Sequence, residues 1–130
     1  MESTKSGGAF LKNILIVDDQ QGIRLLLGEV FRRENYEVLL AKNGIEALQK
    51  MEDLAIDCVL LDMKMAGING IEVLKLMKKS WPKVPVIMMS AYGELEKAEE
   101  VLAFGAEKYF SKPFDIYEVR DAVNSIIDCK

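Results

Sequence analysis

Three aspartates directly follow apolar runs of the sequence, and their positions make them the first candidates for chemistry. Asp18 and Asp19 come after Asn13–Val17, and Asp62 ends the run that begins at Cys58. A short apolar run bounded by turn residues is typical of a buried strand. In open α/β sheets, ligands bind outside the carboxyl ends of the strands. We therefore predict that these carboxylates line a functional site.

The chemistry that suits such a cluster is metal-assisted phosphoryl transfer. Carboxylates within a few ångströms of one another repel, so either one takes up a proton or a cation lies between them. Mg²⁺ prefers oxygen ligands and usually binds through one or two carboxylates and a phosphate, and Mn²⁺ and Ca²⁺ accept similar ligands. A carboxylate oxygen can then attack phosphorus, and Asp62 is the predicted nucleophile.

Two further polar residues follow predicted strands and fit the same site. Ser90 comes after the apolar run 86–89, and Lys112 comes shortly after Tyr109 and Phe110. A hydroxyl can donate a hydrogen bond to a phosphoryl group, and a lysine can neutralise its charge. We predict that both residues contact the phosphoryl group.

Each candidate also has a purely structural interpretation. Asp18 or Asp19 could cap the first helix. Ser90 could simply end a strand, and Lys112 could be a solvated surface lysine. Tyr109 could be a partly buried packing residue.

Five apolar runs alternate with helical patterns along the chain. The predicted strands are residues 13–17, 38–41, 58–62, 86–89 and 109–110. Such alternation implies right-handed crossovers and a parallel sheet covered on both faces. We expect an α/β fold with five helices and a doubly wound, five-stranded sheet of flavodoxin-like order 2-1-3-4-5, in which strands 1 and 3 meet where the order reverses.

Helical spacing predicts which residues face the core. The first helix, which is expected to end near Asn35, has its apolar stripe at Ile23, Leu26, Leu27, Val30 and Phe31. The corresponding residues of the fourth helix are Leu95, Ala98 and Leu102. Gly105 is placed to end that helix as its C′ residue, and Asp115 is placed to cap the fifth helix.

Length and composition predict one domain. The chain has 130 residues, of which 50% are hydrophobic, and this suffices for a single core. Residues 1–11 are predicted to be a flexible leader or a vector-derived remnant, and residues 12–128 the domain. The net charge of −4 comes from interspersed acidic and basic residues, which argues against direct nucleic-acid binding. No apolar run is long enough to span a bilayer, so we expect a cytoplasmic monomer that does not enter the membrane.

The absence of one residue type narrows the chemistry further. The sequence contains no histidine. This excludes Ser-His-Asp and Cys-His catalysis and zinc sites built on histidine. The two cysteines suggest neither a disulfide framework nor a CxxC site, in keeping with a reducing compartment.

Four motifs in the same order and spacing resemble those of response-regulator receiver domains. They are ILIVDD at 14–19, LLDMK at 60–64, SA at 90–91 and KPF at 112–114, and the resemblance covers about residues 12–127. It implies that Asp62 accepts a phosphoryl group from a phosphohistidine on a sensor histidine kinase or a histidine phosphotransferase. The partner would thus supply the histidine that this chain lacks.

The resemblance also implies a role for each candidate residue. The residues that correspond to the family's Mg²⁺ ligands are Asp18, Asp19, Asp62 and, through its backbone carbonyl, Lys64. Lys112 corresponds to the phosphate-binding lysine and precedes an expected cis peptide at Pro113, whereas Ser90 and Tyr109 correspond to the switch that responds to phosphorylation. Such a domain catalyses its own phosphorylation and slow dephosphorylation, and it is not an enzyme that acts on other substrates.

Within the family, residues 19–24 and 91–95 are most similar to those of the stand-alone sporulation phosphorelay regulators. Related regulators grip a helical phosphodonor through positions that correspond to Gln20, Gly22, Ile23, Leu26, Pro113 and Phe114. Ala66 stands where receivers commonly have proline, and this departure predicts a less rigid loop after Asp62.

Two other functions fit parts of the sequence. One is a Mg²⁺-dependent phosphatase that acts on external substrates through an aspartyl phosphate. That class usually has a second aspartate two residues after the nucleophile, where this chain has Lys64. The other is a binding module that works without phosphorylation.

Overall fold

The computed structural model describes residues 11–65, 67–90 and 96–128. Several predictions concern residues outside these ranges. They are most of the leader, the departure at Ala66 and the segment 91–95, which includes the predicted helical residue Leu95. The division into a leader and a domain from residue 12 to residue 128 stays a prediction.

Strands and helices alternate along the chain, as predicted. The strands are β1 (Asn13–Val17), β2 (Glu37–Ala41), β3 (Cys58–Asp62), β4 (Val86–Ser90) and β5 (Lys108–Ser111). The helices are α1 (Gln21–Arg33), α2 (Gly44–Asp53), α3 (Gly70–Ser80), α4 (Glu96–Ala103) and α5 (Ile116–Asp128). The strands form one sheet in the order β2-β1-β3-β4-β5. Every neighbouring pair is parallel, which confirms the predicted fold class.

The strand register brings the candidate residues to one edge of the sheet. Val17 pairs with Leu61 on β3, and Asp62 in turn pairs with Met89 on β4. Ser90 pairs with the last residue of β5. The carboxyl ends of β1, β3, β4 and β5 therefore lie side by side, with the reversal of strand order between β1 and β3.

The alternation of side chains along each strand divides the core into two layers. Leu15 and Val17 of β1 pack in the layer with α2, α3 and α4. Ile14 and Ile16 pack in the opposite layer, with α1 and α5. The sheet is thus covered on both faces, which is why its strands are almost wholly apolar.

The predicted buried face was partly wrong for two helices. Leu26 of α1 is 55% exposed and Leu102 of α4 is 46% exposed, whereas Val101 is fully buried. In α1 the buried line runs through Leu27, Gly28 and Phe31. The face of α1 that meets the core therefore runs through these three residues, and Leu26 lies beside that face.

The predicted helix ends are confirmed. Asp115 caps α5, because its Oδ1 accepts a hydrogen bond of 2.8 Å from the backbone N–H of Tyr117. Gly105 follows α4 with φ of +108°, a left-handed conformation that suits glycine. The Lys112–Pro113 peptide is cis, as the resemblance implied.

No helix in the described part of the chain combines the length and the apolar character needed to cross a membrane.

Candidate functional site

The three predicted carboxylates lie together at the carboxyl edge of the sheet. One carboxylate oxygen from each of Asp18, Asp19 and Asp62 lies within 4.8 Å of the others. Asp18 and Asp62 are buried, because they lie at the carboxyl ends of two neighbouring central strands, β1 and β3. Asp19 is exposed. The set offers oxygen ligands only, and these are the donors that Mg²⁺, Mn²⁺ and Ca²⁺ prefer.

Asp18 is held by four hydrogen bonds. Its backbone N–H donates to the carbonyl of Ala41 on β2 at 3.1 Å. Its carboxylate accepts from the N–H of Gln20 at 2.9 Å and from Nζ of Lys112 at 2.9 Å. Its carbonyl accepts from Nη1 of Arg24 at 2.6 Å. The N-cap of α1 is Gln20, without a side-chain cap, so the interpretation of Asp18 or Asp19 as the helix cap is wrong.

Lys112 joins the carboxylates of β1 and β3. Its Nζ lies 2.9 Å from Oδ2 of Asp18 and 3.4 Å from Oδ1 of Asp62, and only 18% of its side chain is exposed. Burial lowers the pKa of Lys112, but the hydrogen bonds and negative charges of the two aspartates outweigh burial and raise the pKa. The alternative of a solvated surface lysine is therefore wrong.

The electrostatics of Asp62 show how crowded the negative charge is. Burial and the nearby charge of Asp18 raise the pKa of Asp62 to about 6, although Lys112 opposes the shift. One lysine thus compensates incompletely for the carboxylates around it. A divalent cation between the carboxylates would remove the remaining repulsion, so the residues present fit a metal site.

Ser90 and Tyr109 lie next to this cluster and contact each other. Ser90 is fully buried at the end of β4, and its hydroxyl forms a hydrogen bond with the hydroxyl of Tyr109. Tyr109 also packs against the core layer of α2, α3 and α4, so its packing role is real as well. The carbonyl of Ser90 accepts a hydrogen bond of 2.6 Å from the N–H of Lys112, which joins the two strand ends. Lys64 is exposed in the loop after Asp62.

Most of the predicted partner-binding residues line one groove beside the carboxylates. Its volume is about 460 Å³, and its lining is Gln20, Ile23, Leu26, Lys112, Pro113, Phe114 and Ile116. Leu26, which was predicted both on the apolar stripe of α1 and among the partner-binding residues, contributes its exposed side chain here. Gly22 is exposed on α1 but is not part of the lining. Ile116 was missed in the sequence, because nothing in its spacing distinguishes it from a core residue of α5.

Sequence reasoning missed two other residues that contact the site through its backbone. One is Arg24, which donates to the carbonyl of Asp18. Gly70 donates its N–H to the carbonyl of Met63 at 2.8 Å, and a Cβ on Gly70 would lie 2.5 Å from the carbonyl oxygen of Asp62. The sequence signal was weak for both, because an arginine on a helix and a glycine after an asparagine are common.

Comparison with known proteins identifies similar sequences and structures. Residues 14–124 match the family described as the response regulator receiver domain. The chain is 50% identical over 119 residues to sporulation initiation phosphotransferase F of Bacillus subtilis (strain 168), with 92% of this chain and 96% of the relative covered. It is 41% identical over 109 residues to the regulatory protein AtoC of Escherichia coli (strain K12), where the match covers 84% of this chain but only 24% of that longer relative.

A solved structure shows the same architecture. The crystal structure of the receiver domain of NtrX from Brucella abortus superposes with a TM-score of 0.86 at 30% sequence identity. The match covers 90% of this chain and 99% of that one.

Proposed function

The chain belongs to the response-regulator receiver family, and we propose that it accepts a phosphoryl group on Asp62 from a phosphohistidine of a partner protein. The observation that carries the proposal is the buried Asp62 beside Asp18, Asp19 and Lys112. A carboxylate nucleophile, oxygen ligands for a cation and a lysine are the groups that phosphoryl transfer to aspartate requires. The partner is a sensor histidine kinase or a histidine phosphotransferase.

In the proposed reaction, a carboxylate oxygen of Asp62 attacks phosphorus. The new bond joins that oxygen to phosphorus, the phosphorus–nitrogen bond of the phosphohistidine breaks, and the electron pair stays on the imidazole, which takes a proton from water. Because the pKa of Asp62 is about 6, its carboxylate is mostly ionised at neutral pH and can act as the nucleophile. Mg²⁺, held by Asp18, Asp19, Asp62 and the backbone carbonyl of Lys64, would neutralise charge on the phosphoryl oxygens.

Lys112 and Ser90 would stabilise the product. Nζ of Lys112 already lies 3.4 Å from Asp62, so it can donate to an oxygen of the new phosphoryl group. The hydroxyl of Ser90 can turn from Tyr109 towards the phosphoryl group. Tyr109 would then lose this hydrogen bond and change position, and this change would report phosphorylation at the surface.

The proposed domain acts on itself and turns over no external substrate. Attack of water on phosphorus would slowly return Asp62 to the free carboxylate. The 50% identity to a sporulation phosphotransferase supports a place in a phosphorelay, in which the phosphoryl group is handed to a further protein or is read through a surface change. Lys64, at the position where phosphatases of this chemistry usually have a second aspartate, gives no support to the phosphatase alternative.

A labelling experiment tests the proposal directly. A small phosphodonor such as acetyl phosphate should label the wild-type chain in the presence of Mg²⁺. Asp62→Asn should abolish labelling, and so should a chelator of divalent cations. Asp53→Asn, which makes the same change at an exposed position of α2, should leave labelling intact. Label retained by Asp62→Asn would refute the assignment.

The apolar groove is proposed to receive the helical phosphodonor. Ile23→Glu should slow phosphotransfer from the cognate partner by at least about tenfold, since a charge in an apolar contact carries a desolvation cost. Labelling by acetyl phosphate should not change, because the carboxylates are untouched. Ile45→Glu is the matched control, because Ile45 is 61% exposed on α2 and lies outside the groove. Equal loss of both reactions in Ile23→Glu would indicate a folding defect and contradict the docking role.

A further inference from the structure

Arg24 makes a contact that the proposed reaction does not use. This arginine lies on α1 with a half-buried side chain, and its Nη1 donates to the backbone carbonyl of Asp18 at 2.6 Å. A hydrogen bond from a guanidinium is charge-assisted and stronger than one from a neutral donor. Arg24 therefore fixes the main chain of Asp18 without contacting its carboxylate.

The carbonyl that Arg24 holds belongs to the peptide group between Asp18 and Asp19. A peptide group is planar, so a hydrogen bond to its oxygen restrains ψ of Asp18 and φ of Asp19 together. The carboxylate of Asp18 has its own restraints from Gln20 and Lys112. Asp19 is exposed, and within the described residues its carboxylate accepts no hydrogen bond. The orientation of Asp19 thus depends on the peptide that Arg24 holds.

We propose that Arg24 is a positioning residue that directs the Asp19 carboxylate towards the cation site. The proposal rests on the proposed function, because it gives Asp19 a cation to bind. Groups that orient metal ligands typically change metal affinity by about 10- to 100-fold when they are removed. Arg24 acts on the ligand pair through the main chain, from a different element of the fold.

The charge of Arg24 predicts the opposite effect, and this makes the proposal testable by sign. A guanidinium near a cation site repels the cation, so its removal should strengthen Mg²⁺ binding if charge alone matters. If Arg24 positions Asp19, its removal should weaken Mg²⁺ binding. The direction of the change in affinity therefore distinguishes the two roles.

The experiment is a titration of the metal-free chain with MgCl₂, followed by calorimetry. Arg24→Gln should raise the Kd for Mg²⁺ by about tenfold. Arg33→Gln removes the same charge from the exposed end of α1, where Arg33 pairs with Glu29 at the surface, and should change the Kd by less than about twofold. If Arg24→Gln does not fold, as judged by thermal unfolding, Arg24→Lys takes its place with the same direction expected, since lysine lacks the planar fork of arginine.

A double-mutant cycle tests whether Arg24 acts through Asp19. In an Asp19→Asn background, the addition of Arg24→Gln should change the Kd by less than about twofold, because the ligand that Arg24 orients is already lost. A full effect in that background would overturn the proposal, as would an unchanged or lower Kd for Arg24→Gln alone. If the wild-type chain binds no Mg²⁺, the proposed metal-dependent function fails together with this inference. If the wild type binds Mg²⁺ and Arg24→Gln binds equally well, only this inference fails.

Discussion

Asp62 lies in an environment that disfavours its own charge. It is buried, and the carboxylate of Asp18 is near, so its pKa rises to about 6 from an ordinary value of 3.8. A carboxyl group whose pKa is raised on folding binds its proton more tightly in the folded chain. Its ionisation therefore opposes folding at every pH above the raised pKa. A cation bound between the carboxylates would stabilise the ionised form of this nucleophile.

Asp62→Asn should stabilise the metal-free chain at pH 8. At this pH the carboxyl group of Asp62 is ionised in both the folded and the unfolded wild-type chain, and its charge is unfavourable only in the folded chain. The variant lacks this charge, so its free energy of unfolding should be higher by about 2 kcal/mol. The gain should shrink as the pH falls through 6 and vanish only below the ordinary value of 3.8, by about pH 3, where the carboxyl group is protonated in both states. Urea unfolding in the presence of a chelator, at several pH values, measures the difference. A variant that is less stable than the wild type at pH 8 would contradict the electrostatic account.

At the scale of elements, the start of α3 sets the position of the Asp62 main chain. Asn69 caps this helix, with its side chain accepting from the N–H of Glu72 at 3.0 Å. Gly70 then lies so close to β3 that a Cβ would be 2.5 Å from the carbonyl oxygen of Asp62 and 2.6 Å from Cα of Met63. Both neighbours are backbone atoms and cannot rotate away. The absence of a side chain at Gly70 therefore lets the helix and the strand end pack together.

Gly70→Ala should displace the main chain at Asp62 and slow its phosphorylation. We expect the rate of labelling by acetyl phosphate to fall by about tenfold or more, because small displacements of reacting groups have large effects on rate. The overpacking should also cost about 1–3 kcal/mol in the free energy of unfolding. Gly22→Ala is the matched control, since a Cβ there meets nothing within 4 Å, and it should leave labelling unchanged. Wild-type labelling by Gly70→Ala would show that the strand end tolerates the shift.

The elements also show what could be predicted from the sequence and what could not. The strands were predicted to within two residues, because each is a continuous apolar run that ends at polar residues. The helix faces were predicted less well, since apolar spacing alone does not show which edge of a stripe meets the core, as the exposure of Leu26 and Leu102 illustrates. The residues whose type indicates chemistry, such as Asp62 and Lys112, could be found from their places after strands.

Other residues of the site could not be predicted from the sequence, for a physical reason. Arg24 and Gly70 act on the site through main-chain carbonyls, and such contacts exist only once the helices are packed. Their residue types do not reveal these contacts, because surface arginines and helix-start glycines occur in most proteins. The roles of the candidate residues remain predictions, whereas their assembly at one edge of the sheet is a property of the fold.

At the scale of the whole molecule, the site depends on the complete sheet. Two carboxylates follow β1, the third ends β3 and the lysine follows β5, so that Lys112 contacts Asp18 across 94 residues of sequence. An unfolded chain cannot hold these groups within a few ångströms of one another. A ligand that needs all of them binds the folded state only, and its binding energy adds to the stability of the entire domain.

Mg²⁺ should therefore raise the global stability of the chain. At a concentration of 100 times its Kd, the free energy of unfolding should increase by about 2.7 kcal/mol. The urea midpoint should rise while the slope of the transition stays constant, because the surface exposed on unfolding does not change. NaCl at equal ionic strength should give little of this increase, and Asp18→Asn should lose most of it. An equal increase in Asp18→Asn would mean that Mg²⁺ stabilises the chain elsewhere than at the three carboxylates.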